Sequence, residues 1–300
     1  MPMNDHYTPG WIDDPEAVAG IVETLPEADA ALTPISQMHE VPASAYLWDI
    51  ARKVLGHLLP PRNQGTVGSC VAFATVRAIE YTMLAEIAAG DPEMFASLAP
   101  EPVYAGSRVE VGKGKLGNHD GCIGAWAATF VRDWGILPQQ ILGEHDLTTY
   151  SEARCRSWGK DGCPDDLEQL SRSHPVRSVT RVSTWTTAKQ ALANGYGIAV
   201  CSNQGFKMVR NEIGECRASG SWAHAMCLSG YTTLADGREL GRLDNSWGPD
   251  AHTGPVGPGD PGPEGFWANS SVIGSMLAKG DAWIFATVEG FPRRTIPWLV

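Results

Sequence analysis

Residues 71–89, VAFATVRAIEYTMLAEIAA, are apolar on nearly every side of a helical projection, contain neither Pro nor Gly, and are followed by Gly90. A helix without a polar face must be enclosed all round, so the segment predicts a central buried helix around which the other elements gather. Ser69 is the predicted cap. The residues in front of it, Asn63-Gln64-Gly65-Thr66-Val67-Gly68-Ser69-Cys70, form a glycine-punctuated loop that delivers a cysteine to the first helical turn. Aligned peptide dipoles at a helix start favour thiolate over thiol, and a protonated histidine nearby lowers a cysteine pKa further. By this segment alone, Cys70 is either a primed nucleophile or an inert core cysteine.

Two further helical patterns cover Ile123 to Asp133 and Asp165 to Ser171, so the first half of the chain is predicted to be helical. From about residue 180 the pattern changes to short apolar runs at 197–201, 223–231 and 281–288, bounded by Gly, Asn or Asp. These read as antiparallel strands, and the fold class is α+β. Asp236-Gly237 lies between the runs 223–232 and 239–247 and signals a hairpin. A mirror register centred there sets His224 opposite about residue 249, so a bulge, a twist or a shifted turn is needed to bring it to Asn245. Residues 1–40 carry Pro, Asp and Glu with weak periodicity and read as an extended arm rather than a packed unit. The stretch GPVGPGDPGPEG at 254–265 lacks a glycine at every third position, which excludes collagen and leaves a long surface loop.

Composition narrows the partners. A net charge of −11 with scattered basic residues argues against a nucleic-acid partner, since affinity for a phosphate backbone needs clustered Lys and Arg. No run reaches the roughly 18 apolar residues of a membrane-spanning helix, and MPMNDHYTPGWIDDPE has neither the basic end nor the apolar stretch of a signal peptide. A cytoplasmic or virion-associated chain is therefore expected. Seven cysteines, an odd number, leave at least one thiol unpaired, and in a reducing compartment most are expected to stay free. Their spacing matches no zinc pattern, so no metal is expected.

Four blocks then agree in order: QGTVGSCVAFA from Gln64, DGCIGAWAATFVRDWGI from Asp120, HAMCLSGY from His224 and NSWG from Asn245. In this order the blocks resemble papain and the cathepsins, and the resemblance spans roughly residues 41–290. It implies a two-lobed fold, with a helical lobe over about 60–178 facing an antiparallel, β-barrel-like lobe over about 179–300. It implies a cysteine endopeptidase without a cofactor, in which Cys70 attacks the scissile carbonyl and forms a thioester. His224 would hold the thiolate and protonate the leaving amine, Asn245 would orient His224, and Gln64 would complete the oxyanion hole with the Cys70 backbone N–H. Trp247 would shield the bond between Asn245 and His224. Gly68, Ser69, Gly124, Ala125 and Ala223 would line the path of a polypeptide substrate.

Some positions depart from the family. Val67 stands where many secreted members have a cysteine that pairs with the one matching Cys122. Ala125 replaces the second glycine of a pair whose backbone receives extended substrate, and Ala223 replaces the Asp or Asn that often precedes the histidine. Residues 1–40 are shorter than an inhibitory propeptide, lack its long helical pattern, and still have the length to occlude the cleft. The competing expectation is a structural or binding component of an assembly such as a virion, docking through residues 1–40 or 254–265. Acyl transfer to an amine instead of water would use the same residues.

Overall fold

The computed structural model describes residues 8–24, 41–257 and 262–292. The helical side is built from α1 (Pro15–Val22), α2 (Leu47–Leu55), α3 (Cys70–Ala89), α4 (Pro100–Gly106) with a π-type turn at Ser107–Val111, α5 (Gly124–Asp133), α6 (Glu152–Asp161) and α7 (Asp165–Ser171). A short strand, β1 (Ser44–Tyr46), precedes α2, and β2 (Ile141–Leu142) pairs with β3 (His145–Asp146). The remainder is β4 (Val176–Arg181), α8 (Trp185–Ala193), β5 (Ile198–Phe206), β6 (Ala218–Thr233), β7 (Glu239–Asp244), β8 (Gly265–Asn269), α9 (Ser270–Leu277) and β9 (Ala282–Val288).

The apolar run makes α3 the axis of the molecule. Every residue from Cys70 to Leu84 is buried, and Gly90 closes the helix in the left-handed conformation at φ 117°. One face of α3 packs on β5, β6 and β9, and the rest meets α2, α4 and α5. Ser69 holds the cap position, yet its hydroxyl makes no capping bond and lies 3.2 Å from the Tyr150 hydroxyl. Enclosure on all sides also buries charge. The Glu80 carboxylate accepts from Arg62 and from Leu98 N, and lies 3.4 Å from Arg77. Glu80→Ala leaves both arginines enclosed without this partner, and the expected loss is about 3–5 kcal/mol of unfolding free energy. Urea denaturation checks it, and a loss below about 1 kcal/mol would mean that water or a carbonyl replaces the carboxylate.

The large sheet runs β4-β9-β5-β6-β7-β8, with β1 also paired to β6, and every pairing is antiparallel. It is an open sheet among the described residues, which corrects the barrel-like expectation. Helices take the place of closure: β4 packs on α5, and α9 lies on β7 and β8. The hairpin at Asp236-Gly237 forms as β6 and β7, and its register shifts between Leu228 and Gly230, where Ser229 is the extra residue of a bulge. Residues 44–55 lie ahead of the boundary expected for the helical lobe, but β1 and α2 both pack on β6.

The N-terminal residues differ most from expectation. Residues 8–24 are packed: Trp11 and Val18 are buried, Asp14 caps α1 through a 2.9 Å bond from Ala17 N, Pro15 opens it, and α1 rests on α5. Asp-Pro-Glu is a helix-start signal, so this turn was legible in the sequence. The rest of the proposed arm, 1–7 and 25–40, lies outside the described residues. Of the Pro/Gly stretch, residues 258–261 lie outside the described residues, and its two ends are tied together. Arg210, buried, donates to the carbonyls of His252, Gly254, Pro263 and Gly265 at 2.8–3.2 Å.

Candidate active site

The loop before α3 is stitched to the segment after β7. Gln64 N donates to Ser246 O at 2.8 Å, Gly248 N donates to Arg62 O at 2.9 Å, and Asn63 bridges Trp247. These bonds join the helical side to the sheet side and place Gln64 beside Asn245. The Gln64 side chain is fully enclosed. Ser246 Oγ donates to its Oε1 at 2.7 Å, which leaves Nε2 as the donor, 2.8 Å from Val67 O and 2.8 Å from Thr8 O. Two turns of chain later, Cys70 opens α3.

His224 reaches the same place from β6, beyond the last residue of β7, where it pairs with Ser202 of β5. Its Nε2 lies 2.9 Å from Asn245 Oδ1, and that oxygen also accepts from Ser246 N at 2.7 Å. Trp247 stacks on the imidazole with ring centres 4.2 Å apart. Nδ1, the other nitrogen, is buried without a hydrogen-bond partner, and is the basic atom that remains available. Burial pushes the Cys70 thiol up to about 12 and pulls His224 down to about 4, so in this closed form both stand neutral at ordinary pH.

Residues 8–12 are what closes it. Gly10 N and Trp11 N donate to Ala223 O at 2.8 and 2.9 Å, on the histidine side. Cys122 N donates to Gly10 O at 2.7 Å, and Ile12 N donates to Cys122 O at 2.9 Å, on the helical side. Gly10 lies so close to the Gly68 backbone that a Cβ there would stand 2.1 Å from Gly68 O, so only glycine fits this crossing. Thr8 O receives Gln64 Nε2 and, at 3.3 Å, Trp247 Nε1. The Trp11 ring enters a buried pocket, where its Nε1 donates to Asp281 Oδ2 at 2.7 Å.

The substrate-path residues divide. Gly68, Ala223 and Trp247 touch this segment. Ser69 is fully enclosed and faces Tyr150 instead. Gly124 opens α5 and turns its N–H to Asp281 at 2.9 Å, and the backbone that pairs with residues 10–12 is that of Cys122. Sequence reasoning missed Asp281, Ser246, His252 and the backbone of Cys122. Ser246 and Cys122 sat inside recognisable blocks, and Asp281 and His252 did not. All seven cysteines are free and buried.

The papain family cysteine protease model matches residues 47–254, more than half of the chain. The chain belongs to the papain family. Solved structures similar to this peptidase share its fold at low identity. Xylellain, a cysteine protease from Xylella fastidiosa, superposes with a TM-score of 0.56 at 16% identity, over 94% of this chain and 92% of that one. Procathepsin L 3 of Tenebrio molitor gives 0.55 at 16% identity, over 84% and 72%. The bromelain protease of Ananas comosus, solved with the E64 inhibitor, gives 0.52 at 17% identity, over 82% and 99%. A search of curated protein sequences finds no match. The papain-like peptidase is a hydrolase of polypeptides, and nothing in the comparisons supports a purely structural role.

Proposed function

We propose that this cysteine endopeptidase rests in a self-occluded state and acts through Cys70, His224, Asn245 and Gln64 once residues 8–12 leave the cleft. The observation that carries the reading is the occupancy of the same groups a substrate needs: the Gln64 amide donates to Thr8 O, and Ala223 O accepts from Gly10 and Trp11. With the segment gone, His224 Nδ1 takes the Cys70 proton, and the thiolate attacks the scissile carbonyl carbon. The tetrahedral oxyanion is met by Gln64 Nε2 and the Cys70 N–H. His224 returns the proton to the leaving amine, and a thioester remains. Water, deprotonated by His224, releases the acid and restores the thiol. Asn245 Oδ1 holds the Nε2–H throughout, and Trp247 keeps water from that bond.

The deciding experiment is labelling of the reduced Trp11→Ala protein, in which residues 8–12 have lost their buried anchor, by an epoxide thiol inhibitor, with the modified residue found by mass spectrometry. Stoichiometric labelling at Cys70, absent in Cys70→Ala, is expected. Slow labelling spread over several cysteines would return the chain to the structural reading. Seven free thiols also support a reducing compartment, cytoplasmic or virion-associated, which fractionation of the native host tests.

A further inference from the structure

Asn245 bonds on both sides. Its Oδ1 faces His224, and its Nδ2 lies 3.0 Å from Nε2 of His252, a residue only 3% exposed. We propose that His252 is a positioning residue, which fixes the Asn245 amide so that its oxygen, and not its nitrogen, is offered to the catalytic imidazole. The inference rests on the peptidase reading of His224 and Asn245, and concerns the group behind them.

The chemistry of the chain admits one arrangement. Asn245 Nδ2 carries only hydrogens to give, so the facing His252 nitrogen must accept, and His252 must be neutral with its proton on Nδ1. That proton points toward Cys216 Sγ, 3.8 Å away, a weak acceptor suited to a neutral imidazole. Burial first, then Arg210, Arg242 and His224, hold His252 down to about 3, which keeps the acceptor free through the working pH range. The ring is fixed by Phe266, with centres 4.5 Å apart, and its backbone by Arg210 on the His252 carbonyl at 2.9 Å. A flipped amide would set Nδ2 against the His224 Nε2–H and Ser246 N–H, and Oδ1 against the His252 lone pair. Without His252, a buried Nδ2 loses its acceptor and the amide gains a reason to turn. Charged and titratable groups around this chain are Cys70 at the start of α3, Cys216 and Arg210 between β5 and β6, Arg242 and Asp244 on β7, and Glu264 before β8.

The test compares His252→Leu, which removes the acceptor, with His252→Gln, whose Oε1 replaces it near the Nε2 position. The alkylation rate of Cys70 by iodoacetamide is measured against pH in the full-length protein, and the His224 tautomer is followed by nitrogen-15 NMR. Asn245 Oδ1 stabilises the imidazolium, so its loss lowers the His224 pKa and disfavours the thiolate–imidazolium pair. The expected result for His252→Leu is a rate about 10-fold lower near neutral pH and a narrower pH range, with loss of the Nε2–H tautomer at His224. His252→Gln should stay within about 3-fold of the parent, and His252→Leu should add nothing in an Asn245→Ala background. The proposal is overturned by an unchanged profile and tautomer in His252→Leu, by a folded Gln variant as slow as Leu, or by an equal loss in the Asn245→Ala background. Failure of the peptidase reading looks different: Cys70 is unreactive in the parent and in Trp11→Ala alike, while the tautomer still depends on His252.

Discussion

Trp11→Ala raises the rate at which Cys70 is alkylated in the full-length protein by about 100-fold or more. Residues 8–12 are anchored by backbone bonds to Ala223 and Cys122, by Thr8 O on Gln64, and by the Trp11 ring in its pocket beside Asp281. Each neutral hydrogen bond contributes about 1 kcal/mol net, whereas truncating a buried tryptophan costs about 3–5 kcal/mol. The ring is therefore the main anchor, and at 1.4 kcal/mol per tenfold its loss shifts the open fraction by about two to three orders of magnitude. The closed form holds a neutral thiol, pushed up to about 12 by burial, so alkylation at pH 7 proceeds through the open form and reports that fraction. Peptide hydrolysis should rise in parallel. An unchanged rate in both assays would mean that the segment does not close the cleft in solution.

His224→Ala, made in the Trp11→Ala background, lowers kcat/KM for a peptide by about 10,000-fold or more, the scale on which removing a nucleophile's base acts. Nδ1 of His224 is a buried basic atom without a partner, and Cys70 is itself fully buried. With the imidazole present and hydrated in the opened cleft, the thiolate is balanced by an imidazolium, and alkylation should show a plateau around neutral pH. Without it, the thiolate has no counter-charge, and burial keeps its pKa raised. The rate then climbs about tenfold per pH unit into the alkaline range, with no neutral plateau. A plateau that survives in His224→Ala would assign the proton acceptor to another group.

Local pattern was enough for the elements that bracket the site. The unbroken apolar face of 71–89 demands enclosure, so the central helix and the placement of Cys70 at its start follow from that segment alone. Short apolar runs bounded by turn residues pointed to β5, β6 and β9, and Asp236-Gly237 pointed to the hairpin. The meeting of His224 with Asn245 is of another kind. It depends on the Ser229 bulge and on where β7 ends, and strands buried on both faces, as β6 and β7 are here, carry no alternation to mark their register. The fold of residues 8–24 was misread because one short helix with a single buried side chain, Val18, gives little periodicity, although Asp14-Pro15-Glu16 carried the start signal.

By itself the sequence determined the class of chemistry: a cysteine at a helix start, and a glutamine, a histidine and an asparagine in a fixed order. These are properties of residue types and short spacings. The tertiary structure decided what those groups face. Contacts between segments far apart in the chain turn Gln64 Nε2 toward Thr8, set His252 behind Asn245, seat Trp11 on Asp281 and make both members of the catalytic pair neutral. Such contacts depend on distances and burial created only when both sides have packed, and no run of residues along the chain encodes them.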